Sequence, residues 1–119
     1  KGLMYPPFGR IILIEFKGAD ENEVANAAQK FTDLLNERYH YKLRNVGMEF
    51  CKIMGPTPAI ISKVNNQFRY HVLIKMNREI DPSFKIARSV IDSAKDAFDR
   101  QNFSNKTKYT IDVDPQGLM

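Results

Sequence analysis

The sequence predicts an α+β fold in which two helices cover one face of a four-stranded antiparallel sheet. Three observations carry that prediction. Two stretches repeat apolar residues at helical spacing. Four others alternate or are rich in β-branched residues. Together they run in the order β-α-β-β-α-β. The chain of 119 residues, 43% hydrophobic and 27% charged, suits one globular domain and not two.

Tyr5-Pro6-Pro7-Phe8-Gly9 opens the chain. Its prolines fix φ and remove donors, so residues 1–9 read as a lead-in segment from an upstream part, and residues 10–119 as the domain itself. Residues 10–17 form the first strand, with Ile12, Ile14 and Phe16 on one face. Gly18 ends it. Asp20, with Glu23 three residues on, starts the first helix as a capping pair. Val24, Ala27, Ala28, Phe31, Leu34 and Leu35 give its apolar stripe over residues 20–38.

Residues 39–47 are polar and expected to be irregular. Residues 48–54 form the second strand, interrupted at Gly55-Pro56-Thr57-Pro58 because proline cannot donate to a ladder, and resuming at 59–64. Asn65-Asn66-Gln67 is a turn into the third strand, residues 68–76, which makes a hairpin with the second. Asp81-Pro82 starts the second helix, since Asp caps and Pro is tolerated at the first helical position. Its stripe is Ile86, Ala87, Val90, Ile91, Ala94, Ala97 and Phe98, and it ends near Arg100. Residues 108–113 form the last strand, in which Tyr109, Ile111 and Val113 alternate with Lys108, Thr110 and Asp112. This is the ferredoxin-like split βαβ plan, and right-handed crossovers put the first and third strands in the middle of the sheet.

The net charge of +4 and pI near 9.2 permit contact with nucleic acid or with acidic protein tails without demanding either. The single cysteine, Cys51, can form neither an internal disulfide nor a multi-cysteine zinc site, which points to a reducing, cytoplasmic setting. No stretch is long and apolar enough to cross a membrane, and no signal-peptide plan is present. Gly55-Pro56 is not followed by the Gly-Lys-Ser/Thr of a phosphate loop. His40 and His71 are far apart, and Asp112 with Asp114 reads as a pair that meets a basic neighbour. No catalytic set, metal site or cofactor is therefore expected in this segment.

The binding signal lies in the third strand. Arg69, His71, Leu73 and Lys75 share one face and Tyr70, Val72, Ile74 and Met76 the other. The basic set is expected on the open side of the sheet. Lys108 joins it there, and Lys63 and Arg10 extend it. With the aromatics Tyr5 and Phe68 nearby, such a face would contact phosphates and stack bases. An ordinary solvated sheet face fits the same spacing equally well. A second candidate is Lys85 with Arg88, one turn apart at the start of the second helix, where the helix dipole favours an acidic peptide or a C-terminal carboxylate. A solvated helix flank is the alternative there.

Three stretches act as a set: Tyr5-Pro6-Pro7-Phe8-Gly9-Arg10, then Gly55-Pro56-Thr57-Pro58-Ala59 leading to Arg69-Tyr70, then Asp112-Val113-Asp114-Pro115. In this order the chain resembles the C-terminal domain of the primosomal protein N-prime family of replication-restart helicases, from about Met4 to Leu118. The resemblance implies a fold similar to a small-subunit ribosomal protein. It also implies a bacterial, cytoplasmic, nucleoid-associated protein whose upstream part is an ATP-dependent DNA helicase using ATP, magnesium and zinc. The implied partners are forked or single-stranded DNA, the acidic tail of single-stranded DNA-binding protein, other primosome proteins and the upstream helicase core. In the family the tail's surface involves a basic residue and a Gln at the start of the second helix, where Phe84 and Arg88 stand here. A purely structural domain bracing the helicase lobes is the alternative.

Overall fold

Alternation in four strands and a 3.6-residue stripe in two helices give β1 (Phe8–Gly18), α1 (Glu21–Val46), β2 (Cys51–Val64), β3 (Gln67–Asn77), α2 (Lys85–Arg100) and β4 (Lys108–Val113). The computed structural model describes residues 8–101 and 107–114, and among these the side chains at all positions other than 8, 9 and 60–64. The strands form one antiparallel sheet in the order β2-β3-β1-β4, so the first and third strands are central, as the crossover rule requires.

Both helices lie on one face. Ile12, Ile14 and Phe16 of β1 and Val72, Ile74 and Met76 of β3 point into that layer and are buried against Val24, Ala28, Phe31 and Leu35 of α1 and Val90, Ile91 and Ala94 of α2. Phe16, Phe31, Phe98 and Tyr109, one from each of β1, α1, α2 and β4, form a ring cluster with centroids 5.2 to 6.2 Å apart in every pairing. Such contacts contribute beyond their buried area, so the cluster ties the edge strand to both helices.

α1 is longer than the expected 20–38. Its start is as expected, with the Asp20 carboxylate accepting the Glu23 N–H at 3.1 Å. Residues 39–46, expected to be irregular, continue the helix to Val46, and Gly47 closes it at φ 78°. The reason is packing: Tyr39, Leu43 and Val46 carry on the apolar row at i, i+4 and i+7, and Tyr39 lies 4.9 Å from the Phe50 ring. At 1.5 Å per residue the helix of 26 residues is about 39 Å long.

α2 starts later than expected. Pro82 is not its first residue, because Phe84 adopts a left-handed backbone, φ 61°, and the helix begins at Lys85. Asp81 still caps it, from outside: its buried carboxylate accepts the Ile86 N–H at 3.2 Å and the Ala87 N–H at 2.8 Å. In the β2–β3 hairpin, Asn65 and Asn66 both take positive φ, 54° and 62°, as a two-residue turn with Val64 opposite Gln67 demands. The expected interruption in β2 is a pair of register shifts, between Met54 and Thr57 and between Pro58 and Lys63. Gly55 is needed there: φ is +112°, and a Cβ would sit 2.7 Å from the His71 carbonyl oxygen.

Candidate functional site

Arg69, His71, Leu73 and Lys75 do share the face of the sheet turned away from the helices, while Val72, Ile74 and Met76 are buried on the other. Register then adds residues that alternation within one strand could not reveal. Lys17 of β1 stands directly opposite Arg69 on one side and Lys108 on the other. The result is a row of three cations across β3, β1 and β4. Toward the far end of the face Lys75 stands opposite Lys52 of β2. Like charges directly opposite destabilise a sheet, by roughly 0.2–1 kcal/mol a pair. These rows cost the fold stability where no countercharge stands beside them. Six residues at about 3.3 Å each separate Arg69 from Lys75, so the two rows lie about 20 Å apart. Between them are the half-buried Leu13, Met54 and Leu73, with Ile11 in line with Lys75.

The face also carries acid. Glu15, opposite both His71 and Thr110, holds two groups with one oxygen: Oε2 accepts from Arg69 Nη1 at 3.2 Å and lies 2.9 Å from His71 Nε2. Asp112 stands opposite Leu13. Five Lys and Arg side chains therefore face two carboxylates among the described residues, and the surface is basic on balance.

Two of the expected contributors are elsewhere. Arg10 is in register with Met76, on the helix side; its Nε pairs with Asp114 Oδ2 at 3.0 Å and its guanidinium covers the Phe84 ring at 4.4 Å. Asp114, at φ 52°, has left the strand and also accepts the Ile11 N–H, so it no longer shares a side with Asp112. Phe68 alternates with Tyr70 to the helix side, so no Phe or Tyr stands on the open face among the described residues. Tyr5 and the Lys63 side chain lie outside the described residues.

The start of α2 is a second, separate site. A groove of about 310 Å³ runs between α2 and the sheet, floored by Ile12, Met76, Ile91 and Ile111 and rimmed by Arg10, Arg88, Lys95 and Asp92. Lys85 is exposed and does not line it, so the expected Lys85–Arg88 pair is split. The leading amides of α2 are already taken by the Asp81 carboxylate. An incoming anion would meet side chains, not the helix N-terminus. Among the described residues Arg88 makes no ion pair.

The family model described as the primosomal protein N C-terminal domain matches residues 1–116. The chain is 28% identical over 116 residues to the replication restart protein PriA of Synechocystis sp., covering 98% of this chain and 12% of that one. It is 23% identical over 96 residues to the protein of the same name from Borreliella burgdorferi, covering 81% and 13%. The chain thus spans about an eighth of the length of these relatives. Among solved structures, a de novo designed protein with a ferredoxin fold superposes with a TM-score of 0.51 at 13% identity, over 91% of this chain and 86% of that one, a likeness of fold alone. No helix among the described residues is long and apolar enough to cross a membrane.

Proposed function

The chain belongs to the primosomal protein N C-terminal domain family, and on that footing we propose that it is a non-catalytic binding domain of a replication-restart DNA helicase. On this reading the open sheet face contacts the phosphates of forked or single-stranded DNA. The groove beside α2 takes the acidic tail of single-stranded DNA-binding protein. The helicase core, with its ATP, magnesium and zinc, and the other primosome proteins belong to the rest of the polypeptide and its assembly.

The observation that carries the DNA reading is Lys17 set in register between Arg69 and Lys108. Three cations in line suit a phosphate backbone, and the absence of Phe and Tyr from the described part of the face favours phosphate contact over base stacking. The groove fits a peptide that is acidic and ends in an apolar residue, because Arg88 and Lys95 rim an apolar floor. Replacing Arg88 by Glu is expected to abolish tail-peptide binding and leave DNA affinity within a factor of about two, since the groove opens on the opposite side of the sheet.

Affinity for single-stranded and forked oligonucleotides, measured against salt, tests the DNA reading. Arg69→Ala/Lys75→Ala should weaken binding and flatten the log–log salt slope by about 0.7 for each phosphate that is no longer neutralised. Absent or salt-insensitive binding, or a slope unchanged in the variant, contradicts it. One observation favours a second reading. The apolar strip of Ile11, Leu13, Met54 and Leu73 suits docking of this face against the rest of the helicase as a structural brace. In that case both DNA and tail peptide fail to bind the isolated domain.

A further inference from the structure

Glu15 makes its ion contacts at the centre of the open sheet face, and a role for it in DNA binding rests on the proposal that this face is the DNA surface. We propose that Glu15 sets the strength of this surface's grip: its carboxylate is an internal competitor that occupies Arg69 and His71 while the face is empty and yields Arg69 to a phosphate when nucleic acid arrives.

The geometry has three parts. One carboxylate oxygen takes both contacts, 3.2 Å from Arg69 Nη1 and 2.9 Å from His71 Nε2. The carboxylate also sits among the cations of the row, since Lys17 is two residues along its own strand and Lys108 is diagonal to it across β4. Finally, the Arg69–Glu15 pair is partly open to water, with 30% and 21% of side-chain area exposed.

Carboxylate and phosphate are chemically similar partners for a guanidinium, and phosphate offers the same forked acceptor geometry. A partly exposed ion pair contributes little, so a polyanion that also releases counterions can displace it. Glu15 therefore weakens binding twice. It must be displaced from Arg69, and its charge remains beside the bound phosphate. A purely bracing role predicts the opposite: neutralising Glu15 would loosen the strand pair and bring no gain in affinity.

The test is anisotropy of a fluorescein-labelled oligothymidylate with wild type, Glu15→Gln and Lys17→Ala/Lys108→Ala, with thermal melting as the check on folding. Glu15→Gln should bind about fivefold tighter at low salt, the effect of one such charge. The advantage should shrink as salt rises. Lys17→Ala/Lys108→Ala should bind more weakly. If the lysine variant weakens binding while folded Glu15→Gln binds equally or less well, the proposal falls and the DNA reading stands. If the lysine variant changes nothing, or no protein binds, both fall. Should Glu15→Gln melt below the assay temperature, the wild-type chain answers instead. On oligothymidylate addition the Glu15 carboxyl carbon and Arg69 Nε resonances should shift. Their staying fixed while the backbone amides of the same face move overturns the proposal.

Discussion

Cys51 shows how much a single residue owes to its surroundings. It begins β2 in register with Met76, on the packed side of the sheet, and its thiol is pushed up from 9.0 to about 12 by burial first, then by the charges of Asp81 and Glu49. In the unfolded chain the thiol ionises near its ordinary value, so the raised native value favours folding below pH 9 and that contribution is lost as the pH climbs from 9 toward 12. Tyr109, raised by burial and by its 2.6 Å hydrogen bond to Asp99, acts in the same direction. Urea midpoints should therefore fall steadily above pH 9, and less steeply in Cys51→Ala; a midpoint flat to pH 11 counts against the burial. The sequence alone favours a small buried role for this cysteine, because a lone thiol has no disulfide or zinc partner. The residues of the open face are less legible. Alternation exposes Arg69, His71 and Lys75 on β3 and Glu15 and Lys17 on β1, but that these meet, and that Lys52 joins Lys75, shows only once strand pairing sets them opposite one another.

Among the elements, β4 falls on its expected residues and β1 and β3 close to theirs, since period-2 alternation marks a half-buried strand directly. Both helices depart from expectation at one end, for different reasons. The last two turns of α1 carry Arg38, Lys42 and Arg44 among Tyr39, Leu43 and Val46, so their apolar row is hidden among charges and shows only once Phe50 packs on it. At α2, Asp81-Pro82 looks like an N-cap followed by a first helical residue, yet Phe84 in the left-handed region moves the start onward while Asp81 reaches forward to cap from outside. That carboxylate is buried and accepts two amide bonds, so Asp81→Ala should cost about 2–3 kcal/mol in urea unfolding. A loss below about 0.5 kcal/mol would show that the helix start is held by other contacts.

At the scale of the whole molecule the sheet is a partition. On one side two helices close a core built around the Phe16, Phe31, Phe98 and Tyr109 cluster, with the Arg88 groove at its rim. On the other, Lys52, Lys75, Arg69, Lys17 and Lys108 face outward around a short apolar strip. This division is legible in the β-α-β-β-α-β order, because two helices following right-handed crossovers must cover the same face. The position of Arg10 follows from alternation with Ile12, Ile14 and Phe16, which puts it on the helix side; its partners Asp114 and Phe84 show only in the folded chain. The proposed DNA binding requires the outward face to be the one that meets nucleic acid. Backbone amide shifts of the isotopically labelled chain during titration with a single-stranded oligonucleotide read this directly. Shifts concentrated at Lys17, Arg69, Lys75 and Lys108, with α1 and α2 quiet, are the predicted result; shifts gathered on the helices, with the open face unmoved, would contradict it.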